Sequence, residues 1–277
     1  MTSEAGQPGP VSPPPLPPTL PADETAPLAA AASPPSLTAL ALVDFVLAIG
    51  SLVGFAFLFV TPIAVLALAG ADRETLRTLG PEQALAGWTT EMVTAAVMAS
   101  LCAALVVWLL RRRSLAGPLA AMRPGPTWAV AICGGLAVQA YAIGMGLLGQ
   151  QVGGELEPSN AAPLIAVVEQ TPWLAWLLVV AVAPLGEELL FRHVLLRRFV
   201  LAGRTGLGLA ITALGFAALH EPWPGEAGLL AWLNTVSVYV VMGLGFGLVY
   251  ARTGRYWAAV LAHATCNLVA MLAMTYA

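Results

Sequence analysis

The chain has 277 residues, of which 58% are hydrophobic and only 10% are charged, and its formal net charge is −3. A soluble domain carries roughly 25% charged residues, so this composition excludes a water-soluble globular protein and predicts an all-α membrane protein. The three cysteines all fall in apolar runs, which argues against a disulfide framework and against a cysteine-ligated metal.

The chain divides by composition into a polar tail and two apolar regions. Residues 1–36 contain 11 of the 22 prolines and neither an aromatic residue nor an arginine. Such a segment cannot bury enough apolar surface to offset the entropy lost on ordering, so it predicts a disordered, Pro-rich N-terminal tail. We expect N-terminal membrane helices over 37–171 and a C-terminal helical core over 172–277.

The apolar runs predict a polytopic transmembrane helix bundle of about seven spans. They occupy approximately residues 41–68, 92–110, 127–148, 172 to a turn near Gly203, 205–220, 229–251 and 257–275. Asp44 lies near the start of the first run, where we expect it at the level of the lipid headgroups. Residues 161–168 predict a short helix at the membrane interface.

The arginines predict the orientation of these spans. Ten of the twelve lie in three alternate connections, at residues 111–123, 192–204 and 252–255. Basic residues are enriched in cytoplasmic loops, so these three connections should face the cytoplasm. The N-terminus is then expected inside and the C-terminus outside.

The fourth span contains the sequence Pro-Leu-Gly-Glu-Glu-Leu-Leu-Phe-Arg at 184–192. A charged side chain at the bilayer centre costs about 2.5–3.5 kcal/mol on insertion scales, so it persists where it pairs, faces a wet cavity or does chemistry. Glu188 and Arg192 are four residues apart and can form a structural ion pair on one helix face. Glu187 points about 100° away from Glu188 and has no such partner, which makes it the candidate catalytic group.

Two further polar pairs have the same helical spacing, Phe216 with His220 and His263 with Asn267. Taken alone, His220 can be a helix-end residue, while His263 and Asn267 can be hydrogen-bonding groups between helices. Together with Glu187, these side chains predict one convergent polar site.

Counting along the chain predicts the depth of this site. The turn at Gly203 follows Glu187 by 16 residues, and His220 follows Arg204 by 16 residues. Two helical arms of this length each rise about 24 Å. We therefore expect Glu187 and His220 to face each other at one depth, close enough for one water to bridge them, with His263 in the same cavity.

The types of side chain predict hydrolysis of an amide by activated water. A glutamate suits a general base, a histidine can orient the water, and a second histidine with an asparagine can donate to a developing oxyanion. Two histidines and a glutamate are also a ligand set for catalytic zinc, and the spacing does not decide between these alternatives. We predict no cofactor, with zinc as the alternative.

Three motifs occur in order: E-E-x-x-x-R at 187–192, F-x-x-x-H at 216–220 and H-x-x-x-N at 263–267. In these motifs the chain resembles the CPBP family of intramembrane proteases, which includes the type II CAAX prenyl endopeptidases and bacteriocin-processing proteins. Each motif alone is weakly specific, so the resemblance depends on all three in order, over roughly residues 172–277. It implies that Glu187 and His220 activate the attacking water, and that His263 and Asn267 bind the oxyanion.

The resemblance also implies supporting roles for Glu188, Arg192 and Phe216. The chain departs from the family pattern at His193, where a small residue is usual, and we expect a structural role for this histidine. Bacterial members are commonly described as metalloproteases, whereas the prenyl endopeptidase is understood as a glutamate-dependent enzyme without a catalytic metal. The resemblance therefore leaves metal dependence open.

The activity that the resemblance implies is cleavage of a membrane-associated protein or peptide. The expected partners are this substrate and the lipid bilayer, with no nucleic acid. The alanine-rich, lysine-free composition is typical of a high-GC bacterium, so we expect the inner (plasma) membrane, with bacteriocin leader peptides as candidate substrates. Two alternatives stay open: a bacteriocin-immunity or peptide-binding scaffold of the same family, and a proton-relay transporter, which the lack of repeated halves disfavours.

Overall fold

The computed structural model describes residues 36–71, 73–78, 80–115 and 126–276, and their regular structure is entirely helical. The helices are α1 Leu37–Gly70, α2 Arg73–Thr78, α3 Gly80–Ala86, α4 Thr89–Arg111, α5 Thr127–Val152, α6 Ala161–Gln170, α7 Pro172–Leu201, α8 Thr205–His220, α9 Gly228–Thr253 and α10 Tyr256–Tyr276. The predicted all-helical class is confirmed. The predicted disordered tail lies outside the described residues except for Ser36, whose side chain caps α1; Arg123 of the predicted cytoplasmic loops is also outside them.

Six of these helices are long and apolar enough to cross a bilayer: α1, α4, α5, α7, α9 and α10. The protein is therefore a multi-pass membrane protein. The remaining predicted span exists as α8, but its 16 residues rise only about 24 Å, which is less than the roughly 30 Å hydrocarbon core.

Helix α8 ends inside the bundle because Pro222 and Pro224 follow it closely and cannot continue a helix. The His220 ring at its last residue lies 4.5 Å from the Tyr239 ring, measured between centroids. Tyr239 is already eleven residues into α9, about 16 Å along its axis. The end of α8 therefore presents His220 to the interior of the bundle rather than to its surface.

Close helix contacts fix α8 and α7 in place. A Cβ on Gly243 of α9 would lie 2.6 Å from the Ala213 Cα of α8, so these two backbones approach at a distance that only glycine permits. A Cβ on Gly186 of α7 would lie 3.1 Å from the Leu101 Cα of α4, so α7 and α4 also approach closely. These contacts hold α8 against α9 and the acidic stretch of α7 against α4.

Asp44 of α1 is fully buried within the protein, and its expected position at the level of the lipid headgroups stays a prediction. Its carboxylate forms ion pairs with Arg111 of α4 and, at 2.8 Å, with Arg198 of α7. Arg198 also donates to the Ser114 carbonyl and hydroxyl. This cluster ties α1, α4 and α7 together at the arginine-bearing end of the bundle.

Candidate active site

Glu187 of α7 faces both predicted site histidines. Its Oε2 atom lies 4.0 Å from His220 Nε2 of α8 and 4.0 Å from His263 Nε2 of α10. These gaps are too long for a direct hydrogen bond and short enough for one water to contact both atoms. The Glu187 and His220 side chains each remain about one-fifth exposed, so the site is reachable. The structure thus brings together three groups that lie 33 and 43 positions apart in the sequence.

His220 is held between two aromatic rings. The Phe216 ring, one helical turn earlier, lies 4.4 Å from the imidazole, and the Tyr239 ring stacks on it at 4.5 Å. His220 Nδ1 lies 2.8 Å from the Phe216 carbonyl oxygen, which can only accept, so Nδ1–H donates. In the neutral ring Nε2 then presents its lone pair towards Glu187. The ring and carbonyl contacts with Phe216 give the F-x-x-x-H spacing a physical reason. Tyr239 is a further residue of the site that the sequence did not predict.

His263 is fixed in the same way by different groups. Its Nδ1 lies 2.9 Å from Glu188 Oε1, and its ring stacks on Phe246 with centroids 4.5 Å apart. The ring is almost fully buried. Because Nδ1 is engaged by Glu188, Nε2 is directed at Glu187, so consecutive glutamates contact opposite sides of one imidazole.

Glu188 also forms the predicted ion pair with Arg192. Arg192 Nε lies 3.0 Å from Glu188 Oε2 and both side chains are buried, but the angle is not that of a hydrogen bond, and among the described residues neither atom has one. The guanidinium donates to the Gly243 carbonyl at 3.2 Å and its carbon lies 5.1 Å from the Phe216 ring centre. The pair is thus held by charge and by aromatic contacts. Glu188 contacts His263 directly, and Arg192 contacts the Phe216 ring that packs on His220.

Asn267 donates a hydrogen bond to a backbone carbonyl of α7. Residues Leu177–Val182 form wider π-helical turns, in which each carbonyl pairs with the N–H five residues later. The Val179 carbonyl would pair with position 184, but Pro184 has no N–H to donate. Asn267 Nδ2 donates to this Val179 carbonyl at 2.8 Å. One of its two amide hydrogens is therefore engaged in holding α10 against α7.

All four predicted catalytic side chains, Glu187, His220, His263 and Asn267, line one cavity of about 470 Å³. The other lining residues are mostly apolar, and α6 and the segment before it contribute Leu156, Pro163 and Leu164. Along α10 the lining extends from His263 to Met274, eleven residues or about 16 Å. The polar site therefore lies in a mostly apolar cavity that is long enough for an extended peptide, and this cavity is called the chamber below.

The comparisons with known proteins agree with this geometry. Residues 169–269 match the family model described as type II CAAX prenyl endopeptidase, Rce1-like. This segment belongs to that family. No curated protein and no solved structure matched the chain. The resemblance predicted from the three motifs is thus confirmed, and the matched segment contains every predicted site residue of this CAAX endopeptidase domain.

The CAAX endopeptidase domain does not arrange its donors as a zinc site. Among the described residues, no three histidine, cysteine, aspartate or glutamate side chains form a group that could hold a metal ion. Ligands on a tetrahedral zinc lie about 3.3 Å apart, because zinc–nitrogen and zinc–oxygen bonds are about 2.0–2.1 Å long. The 4.0 Å gaps around Glu187 exceed this separation. The donors as placed therefore do not fit a tetrahedral zinc ion, and the absence of a cofactor stays a prediction.

His193, the departure from the family pattern, lies outside the cavity that contains Glu187. Its ring is 5.6 Å from that of Tyr256, and its Nδ1 lies 3.4 Å from the Tyr250 hydroxyl oxygen. It is not among the cavity-lining residues. These contacts are those of a packing residue near the end of α7.

Proposed function

We propose that the protein is an intramembrane endopeptidase that hydrolyses a peptide bond of a membrane-associated protein or peptide. The observation that carries the proposal is the position of Glu187 Oε2, 4.0 Å from each histidine Nε2, at one end of an apolar chamber. The match of residues 169–269 to the CAAX endopeptidase family supports it.

A water between Glu187 and His220 would be oriented for attack. Both groups present acceptors, so the water donates one hydrogen to each and keeps its lone pairs for the substrate. With hydrogen bonds of about 2.8 Å, acceptors 4.0 Å apart subtend about 90° at the water oxygen, close to the H–O–H angle. The geometry therefore favours a single bridging water over a direct contact.

The reaction then follows the chemistry of general-base hydrolysis. As the water oxygen bonds to the substrate carbonyl carbon, Glu187 takes the proton and the carbonyl π electrons move to the oxygen. His263 and Asn267 face the same chamber and would donate to this oxyanion. Since His263 Nδ1–H already donates to Glu188, His263 would act as the doubly protonated ring through its Nε2–H, and Asn267 through its second amide hydrogen. Collapse breaks the C–N bond, and Glu187 returns the proton to the leaving amine.

The substrate and the orientation are part of the proposal. The arginine-bearing ends of α4, α7 and α9 would face the cytoplasm of a bacterial inner membrane. The chamber lining from His263 to Met274 would then extend towards the outer face. An apolar peptide segment such as a bacteriocin leader fits these walls in length and polarity.

Cleavage of defined peptides tests the proposal. The purified protein in detergent is incubated with a pool of synthetic dodecapeptides that have random apolar centres and arginine at both ends, and products are read by mass spectrometry. We expect cleavage by the wild type and by the control Glu155→Gln, whose carboxylate is exposed outside the cavity, and none by Glu187→Gln. Retention of peptides without any cleavage would instead favour a peptide-binding or immunity scaffold.

A further inference from the structure

Gln139 is a half-buried amide that the family motifs do not include. It lies in the middle of α5 and is the only amide or charged residue between Thr127 and Gln150. It also precedes residues 169–269, so the family match does not cover it. A polar side chain in the interior of a membrane bundle is costly and is generally kept for a partner or a pathway.

The contacts of Gln139 leave its NH2 group without a hydrogen bond to the described residues. Its Oε1 atom accepts a weak hydrogen bond from the Cys266 thiol at 3.3 Å. No acceptor for its NH2 group occurs within hydrogen-bonding distance among the described residues, and Gln139 lines the cavity that contains Glu187. The amide is therefore held by its oxygen, with two N–H donors available to a ligand.

The packing of α5 on α10 sets the height of this amide. The two helices run parallel, because Gly135 packs against Ala262 and Thr265, while Gln139, one turn later, contacts Cys266. Gln139 is thus level with Cys266, three residues or about 4.5 Å along α10 from His263. A peptide whose scissile bond lies at the histidines would have a neighbouring backbone group at this height.

We propose that the Gln139 NH2 group donates to a backbone carbonyl of the substrate next to the scissile bond; this rests on the proposed function. An extended peptide brings unpaired carbonyls into an apolar chamber, where each one needs a donor. In a helix these carbonyls are already paired within the segment. Gln139 therefore selects substrates whose segment near the scissile bond is extended, whatever their side chains.

The test combines Gln139→Leu with changes in the peptide backbone. The probe is the dodecapeptide that full-length Glu187→Gln protein retains best in detergent, selected by affinity and mass spectrometry. Each peptide bond of the probe except the scissile one is replaced in turn by an alkene, which removes one carbonyl. In protein with Gln139, we expect the alkene at one position to weaken the affinity of the probe about fivefold to tenfold relative to the unmodified probe, which is the effect of one lost hydrogen bond. In the Gln139→Leu variant, the unmodified probe should bind that much more weakly and the same alkene should cause no further loss.

The control is Gln150→Leu, which changes an exposed glutamine of the same helix. Equal affinities in Gln139→Leu and Gln150→Leu would overturn the assignment, and so would an alkene effect that persists in Gln139→Leu. Because binding is measured on the Glu187→Gln background, absent turnover in the wild type overturns only the proposed function. If no peptide is retained at all, both proposals fail together.

Discussion

Glu188 Oε1 accepts a hydrogen bond of 2.9 Å from His263 Nδ1, while the other nitrogen of the same ring faces Glu187 Oε2 at 4.0 Å. Two adjacent residues of α7 can contact opposite sides of one imidazole because they point about 100° apart around the helix. Glu188 therefore orients the ring, and Glu187 remains available to a water.

Arg192→Ala should destabilise the protein. Removing the guanidinium leaves Glu188 as a buried charge without its cation, and breaking a buried pair in this way costs about 3–5 kcal/mol. Thermal unfolding in detergent measures the effect, with Arg252→Ala at an exposed position as the control. A melting midpoint equal to that of the control would show that the pair is not structural.

Tyr239→Leu should lower kcat by about tenfold to 100-fold, because His220 loses one of the two rings that fix its orientation. Tyr239→Phe keeps the ring and loses only the 3.3 Å hydrogen bond to Asn160, so its kcat should stay within about threefold of wild type. Cleavage of the best dodecapeptide is the measurement. Equal losses in the two variants would mean that the hydroxyl, and not the stacking, matters.

Asn267→Ala should lose stability as well as cleavage, since the Val179 carbonyl is left unpaired at a cost of about 1–3 kcal/mol. Adding Pro184→Ala supplies a backbone N–H for this carbonyl. The double variant should therefore recover most of the melting midpoint while staying inactive. A double variant no more stable than Asn267→Ala would refute the assigned role of the amide in α7.

Metal analysis should find no stoichiometric zinc in active protein, because the site donors are spaced more widely than zinc ligands. Zinc content is measured together with cleavage after dialysis against a chelator. Roughly one zinc per chain, with activity lost to the chelator and restored by zinc, would contradict this expectation.

The sequence predicts the parts of the site that depend on spacing within one helix. The pairs at i and i+4, Glu188 with Arg192 and Phe216 with His220, are in contact as expected. The common depth of Glu187 and His220 also follows from counting residues about one turn.

Features that depend on how helices approach each other could not be predicted in this way. The Glu188–His263 hydrogen bond requires α10 to lie against α7, and nothing in either helix alone indicates it. Stacking of Tyr239 on His220 requires α8 to end inside the bundle, whereas its apolar sequence predicts a full span. Gln139 stands out in the sequence as a lone amide in an apolar run. The sequence does not indicate its partner Cys266, which is 127 residues away.

The central claim is that Glu187 acts as the general base, and the cleavage rate of Glu187→Gln tests it most directly. The amide has nearly the same shape and cannot take the proton, so cleavage should fall by about 10²–10⁴-fold with an unchanged melting midpoint. Glu155→Gln, purified in parallel, should cleave at the wild-type rate. Wild-type turnover in folded Glu187→Gln protein would contradict the account.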